Sequence, residues 1–131
     1  MRLTLASEAV AHWVAARCDV GQFQAPYVAF GWADEAGRIL GGAVWNNWNG
    51  ANVELSLAGR GAVTRRAFRD MADYAFRQIG ARRITIHTKA SNLRLIHQAE
   101  RNGFAREGMR AAFFPDDDAV ALVLLRSHCR W

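Results

Sequence analysis

Only two cysteines occur, Cys18 and Cys129, near opposite ends of the chain and in no Cys-x-x-Cys pair, and no histidine stands at metal-ligand spacing. A disulfide framework and a zinc site are both excluded by that spacing. No apolar run approaches the ~18 residues a membrane helix needs. The start, MRLTLASEAVAHW, also lacks the unbroken apolar stretch of a secretory signal, so the expectation is a cytoplasmic protein without membrane contact. Lysine is nearly missing as well. Lys89 is the only one, so the formal charge of +5 is carried by arginines scattered along the chain, with no basic tail. No repeat, linker or low-complexity segment appears. At 131 residues and 51% hydrophobic the sequence can bury one core, which predicts a single domain over 1–131.

The patterning is that of alternating strands and helices. Arg2 to Leu5 alternates like a strand, Ser7 can cap a helix to about Arg17, and 19–26 reads as a loop. Tyr27 to Trp32 and Arg38 to Trp45 are strand-like runs joined by the turn Asp34-Glu35-Ala36-Gly37, and 46–50 turns the chain into a strand at Asn52. From Thr64 to Gln78, Phe68, Met71, Ala72, Ala75 and Ile79 fall on one helical face, as core. Arg66 with Asp70, Arg69 with Asp73, and Asp73 with Arg77 stand at ion-pair spacing on the same helix. Trp32 and Trp45 read as core. Trp48, flanked by asparagines, reads as exposed and suited to an acceptor site or a dimer contact.

The stretch VELSLAGRGAVTRRAF, residues 53–68, carries the most chemistry. An apolar strand breaks at Gly59-Arg60-Gly61 and opens into an arginine-studded helix. Unpaired N–H groups and the dipole of a helix N-terminus make such a turn an anion cradle, so a phosphate-bearing cofactor is the expected ligand. A dinucleotide fingerprint is not completed, because Thr64 occupies the third glycine position and Arg83 to Thr88 does not end in an acid. A P-loop is not completed either, since no Gly-Lys-Ser/Thr follows Gly61.

After this helix come a short β run, Arg83 to Thr88, then Ser91-Asn92 heading a helix from Leu93 to Arg101, then Asn102-Gly103-Phe104 and Arg106-Glu107-Gly108, with Ala119 to Arg126 as a last strand. This order resembles the GNAT acetyltransferase superfamily. Within it, ASNLRLIHQAERNGFAREGMRAAFF is similar to the ribosomal-protein N-terminal acetyltransferase branch, the resemblance covering residues 38–126. It implies an α/β (α+β) GNAT fold, with a mixed, mostly antiparallel central sheet of six to seven strands flanked by three to four helices. It also implies acetyl-CoA as cosubstrate and no metal. Leu57 and Ala58 would face the pantetheine arm and thioester. Arg60, Gly61, Ala62, Val63, Thr64 and Arg65 would wrap the pyrophosphate, and Asn92 would meet the pantetheine from the far side.

Acetyl transfer to an amine needs a base, a donor to the acyl oxygen and an acid for the departing thiolate. Glu54, on the strand assigned to the thioester, is the candidate base; the other reading of it is a carboxylate paired with arginine. Many family members carry a tyrosine seven residues after the capping asparagine, where this chain has Ala99, and Ser91 is the substitute acid. His87 and His97 flank the presumed cleft, while His12 and His128 read as structural. Three classes stay open. One is an N-acetyltransferase acting on a protein N-terminus, a lysine or a small amine. A second is a non-catalytic CoA-binding or interaction module, motivated by Val63 at the loop's second small position and by Ala99. The third is a basic protein whose arginines contact nucleic acid or a ribonucleoprotein.

Overall fold

A computed structural model of the chain describes residues 1–18 and 20–131. In chain order these form β1 (Arg2–Thr4), α1 (Ser7–Arg17), β2 (Val28–Ala33), β3 (Ile39–Asn46), β4 (Asn52–Ala58), α2 (Arg65–Asp73), β5 (Arg83–Lys89), α3 (Leu93–Arg101), β6 (Ala105–Phe114) and β7 (Asp117–Leu125). The strands make one sheet in the order β1-β2-β3-β4-β5-β7-β6. Every neighbouring pair is antiparallel except β4 with β5. The expected mixed, mostly antiparallel α+β sheet is therefore present, with seven strands and three helices. The loop expected over 19–26 is described from Val20; Asp19 lies outside the described residues.

Strand alternation distributes the helices between the two faces. On β4, Val53, Leu55 and Leu57 are buried and alternate with half-buried Asn52, Glu54, Ser56 and Ala58. The buried set packs with Phe68, Met71 and Ala72 of α2 and with Leu95, Ile96 and Ala99 of α3 in the main core. Val44 points the other way and packs with Val10 and Val14 of α1 in a smaller core. With α1 packed over β2, β3 and β4, no helix among the described residues packs on the same face of β5, β7 and β6.

The main helix begins where Thr64 caps it, its hydroxyl accepting from the Ala67 N–H at 3.0 Å. It loses α geometry after Asp73 and continues as a π-helical turn over Tyr74–Gln78. Of the three expected ion pairs, only Arg77 with Asp73 is present, at 3.2 Å. Asp70 instead accepts from the indole of buried Trp32 at 3.0 Å, and Arg66 donates to the Met1 carbonyl. Ser7 does not cap α1; its hydroxyl accepts from the Ala29 N–H and ties the helix start to β2. Trp32 and Trp45 are core residues and Trp48 is exposed. His12 and His128 are exposed, contrary to a structural role.

Candidate functional site

The geometry of the site follows from one departure from regular pairing. Parallel β4 and β5 are in register only from Asn52 with Arg83 to Leu55 with Ile86, although β4 runs on to Ala58 and β5 to Lys89. Thr85 Oγ1 donates to Asn52 Oδ1 at 2.6 Å and pins the closed end. Beyond Leu55 and Ile86 the strands part around a cleft of about 440 Å³ lined on one side by Glu54 to Gly59 and on the other by Ile86 to Lys89. Arg17 and Cys18 at the end of α1, Asn92 and Leu95 of α3, and Phe113 and Phe114 of β6 complete the wall. A larger depression of about 790 Å³ lies at the opposite, hydrogen-bonded end of the pair, lined by Ala51, Arg82, Arg83, Leu125, Arg126 and Ser127. The cleft is the better candidate because it lies at the carboxyl ends of parallel strands, where open sheets containing such strands bind ligands.

Backbone groups are exposed along the β4 wall. The Leu57 carbonyl accepts from Cys18 Sγ at 3.6 Å, so it points into the cleft. The N–H and C=O of one strand residue lie on the same side, so the Leu57 N–H opens to the same gap. Just beyond Ala58 the chain turns at Gly59 with φ +87°, a left-handed conformation that glycine adopts without strain. A short 3-10 turn over Arg60–Val63 separates it from α2, where the sequence had suggested a direct entry.

The sequence-derived residues fall into three positions. Glu54, Leu57, Ala58 and Asn92 line the cleft. Asn92 also caps α3, its Oδ1 accepting from the Leu95 N–H at 3.3 Å. Arg60 and Arg65 are exposed at the turn leading out of β4, beside the first N–H groups of α2. Gly61 and Ala62 are buried, and Val63 packs against the main core, so its bulk is directed inward. Ser91 stands apart. It does not line the cleft, and its hydroxyl donates to Asp117 Oδ2 at 2.7 Å while its N–H does so at 3.0 Å. These bonds are the main reason the Asp117 carboxyl sits below its ordinary range. The Ser91 proton is thus committed to a turn contact.

Sequence reasoning passed over the wall contributed by β6. Register irregularities between Arg106 and Gly108 and between Arg110 and Phe114, with Ala112 at φ +52°, bend this edge strand over β5. Phe113 stacks on His87 at 5.1 Å and 28°. Arg110 Nε donates to His87 Nε2 at 3.2 Å, which makes the imidazole the neutral Nδ1–H tautomer. Burial pushes the His87 pKa down from 6.5; Glu54 opposes this, and Arg110 and Arg83 add to it. Glu54 itself is held by Asn47, whose Nδ2 donates to Oε2 at 2.6 Å. His97 is exposed on α3. Among the described residues no three His, Cys, Asp or Glu side chains group as a metal site.

A seven-stranded mixed sheet with a parallel pair splayed at its carboxyl end, and a turn leading into a helix from one of the two strands, defines the GNAT acetyltransferase fold. Solved structures of that fold match closely. A point mutant of the spermidine N-acetyltransferase SpeG from Vibrio cholerae superposes with a TM-score of 0.76 at 14% identity, over 97% of this chain and 96% of that one. The dodecameric spermidine N-acetyltransferase from the same organism, in an intermediate state, gives 0.76 at 16% identity over 96% and 94%. A manganese complex of SpeG gives 0.67 at 22% identity over 79% and 68%. No protein-family model and no curated protein sequence matches the chain. The likeness is one of fold, and it does not support the ribosomal-protein branch expected from the 90–114 motif.

Proposed function

We propose that the chain is an acetyl-CoA-dependent N-acetyltransferase that moves an acetyl group directly to a primary amine. The carrying observation is the splayed β4–β5 cleft with a carboxylate, Glu54, on its wall and a cationic turn-helix at its β4 end. The residues present suit the cosubstrate. Arg60, Arg65 and the first N–H groups of α2 would hold the pyrophosphate, since guanidinium groups and helix N-termini both favour phosphate oxygens. The open backbone at Leu57 and Ala58, with Asn92 opposite, would hold the pantetheine arm.

When bound, acetyl-CoA supplies an activated acyl carbon at its thioester. Glu54 takes a proton from the amine, directly or through water, while Asn47 fixes the orientation of the carboxylate. The Leu57 N–H offers a donor to the acyl oxygen. With Ala99 buried and Ser91 bound to Asp117, neither supplies the thiolate proton, and the proton removed from the amine can serve. That same lack of a dedicated acid supports a second reading, a CoA-binding module without turnover. Resemblance names two acceptor classes: small amines, as in the spermidine enzymes above, or a protein N-terminus, as in the ribosomal-protein branch. The setting is cytoplasmic, and exposed Trp48 is available for a homodimer contact. Calorimetric titration with acetyl-CoA, followed by thiol release in the presence of amines, tests the proposal. Binding with turnover supports the transferase, binding without turnover the module, and no binding at millimolar acetyl-CoA defeats both.

A further inference from the structure

Beside Arg83, paired with Glu107, and Lys89, paired with Asp116, the face of the sheet left without a helix carries two opposite charges on either side of a neutral ring. Glu54 and His87 point to the same face, because Glu54 pairs with Thr85 and His87 follows two residues later on β5. On the far side Arg110 reaches His87 from β6, two strands away. It can do so because β7 presents only Ala119 and Ala121 beneath, the partners of Arg110 and His87 respectively. Phe113 lies against the ring of His87 and adds an apolar wall.

The pairing of charges on this face is uneven. Arg83 is neutralised by Glu107 through two bonds, at 2.7 and 3.2 Å. Arg110 has one bond, from Nε to His87, and its terminal nitrogens meet no carboxylate among the described residues. Glu54 accepts from the neutral amide of Asn47 and faces no cationic partner among them. A carboxylate and a guanidinium thus flank an uncharged imidazole, each with bonding capacity to spare.

Resting on the transferase reading, we propose that the acceptor is an amine that also carries a carboxylate, the amine going to Glu54 and the carboxylate to the terminal nitrogens of Arg110. A planar guanidinium is suited to a carboxylate. A second ammonium group, as in a polyamine, would instead meet Arg110, and like charge juxtaposed at a site selects against a partner. The carboxylate can be that of a free amino acid or of an acidic residue next to a peptide N-terminus, the two sources sharing one chemistry.

The test compares kcat/KM with acetyl-CoA for L-glutamate, β-alanine, a peptide amide beginning Ala-Asp, its Ala-Asn counterpart, ethanolamine and spermidine. Carboxylate-bearing amines are expected to lead neutral ones and spermidine by at least about tenfold, and the leading source identifies the acceptor as amino acid or peptide. Arg110→Gln is expected to remove about 10- to 100-fold from carboxylate-bearing acceptors alone, the size of one charge-assisted contact. Arg110→Lys, which keeps charge but loses the fork, should fall between, and Arg110→Glu should raise spermidine relative to glutamate. Equal or better use of spermidine by the parent protein, or an Arg110→Gln loss shared by every acceptor, overturns the proposal alone. Failure to acetylate any amine while acetyl-CoA binds overturns it together with the transferase reading.

Discussion

Gly41 and Gly61 are in backbone contact: a Cβ built on Gly41 would fall 2.9 Å from the Gly61 Cα and 2.2 Å from the Ala62 nitrogen. The turn that leads to α2 is therefore seated on β3, and the glycine at 41 is required by that seat. Gly41→Ala must push the turn outward. The expected result is a loss of about 1–3 kcal/mol of stability, the usual size of overpacking, together with weaker CoA binding. Chemical denaturation and CoA titration of the same variant check it; unchanged affinity in a folded variant would separate the turn from the ligand.

Arg65→Ala is expected to weaken CoA binding by about 1.5–3 kcal/mol, the value of a hydrogen bond to a charged group. Arg126→Ala, at the depression on the closed side of the sheet, should leave it unchanged. Isothermal titration of the two variants side by side decides whether the pyrophosphate lies at the turn.

Glu54→Gln keeps an acceptor for Asn47 Nδ2 but cannot take a proton. Turnover should fall by roughly 10²- to 10⁴-fold with CoA affinity retained. Full turnover in the variant would mean that orientation of an already neutral amine carries the reaction.

Cys18 offers an independent probe, since its thiol donates to the Leu57 carbonyl inside the cleft. A ligand along β4 should shield it from a thiol reagent. At a hundredfold excess of acetyl-CoA over its dissociation constant, modification of Cys18 should slow by about 100-fold if only the empty protein reacts. Cys129, which packs near the C-terminal Trp131, serves as the control. Equal protection of both thiols, or of neither, contradicts the assignment.

His87 should titrate below 6.5 by NMR, and Arg110→Gln should raise its midpoint by removing a neighbouring cation and freeing Nε2. Because the folded value is depressed, the native state binds fewer protons than the unfolded chain between that value and 6.5. Its contribution to stability is therefore lost as pH falls from 6.5 through this window, and His87→Gln should flatten that limb of the stability curve.

The local signals in the sequence proved informative. Period-two alternation marks β4, the Gly59 turn is where it was read, and Asn92 caps α3. What escaped reading depends on partners distant along the chain. Asp70 is at ion-pair spacing from Arg66, yet Trp32 claims it from 38 residues away. Ser91 looked available because nothing nearby in sequence announces Asp117 as its acceptor. Phe113 reaches the cleft, and Arg110 the ring of His87, through bulges in an edge strand, and a bulge leaves only a weak trace in composition. The pairing of β7 between β5 and β6, which brings them there, has no local signature at all.

The parting of β4 and β5 also has a consequence for exchange with solvent. Past Leu55 and Ile86 the amides that turn toward the gap have no strand partner across it among the described residues, so they should exchange their hydrogens far faster than those of the stitched segment from Asn52 to Leu55. An extended molecule laid between the strands would take the place of a missing neighbour and slow that exchange. The fold thus contains an isotopic reporter at its own binding cleft, one that responds to occupancy without labelling, mutation or turnover.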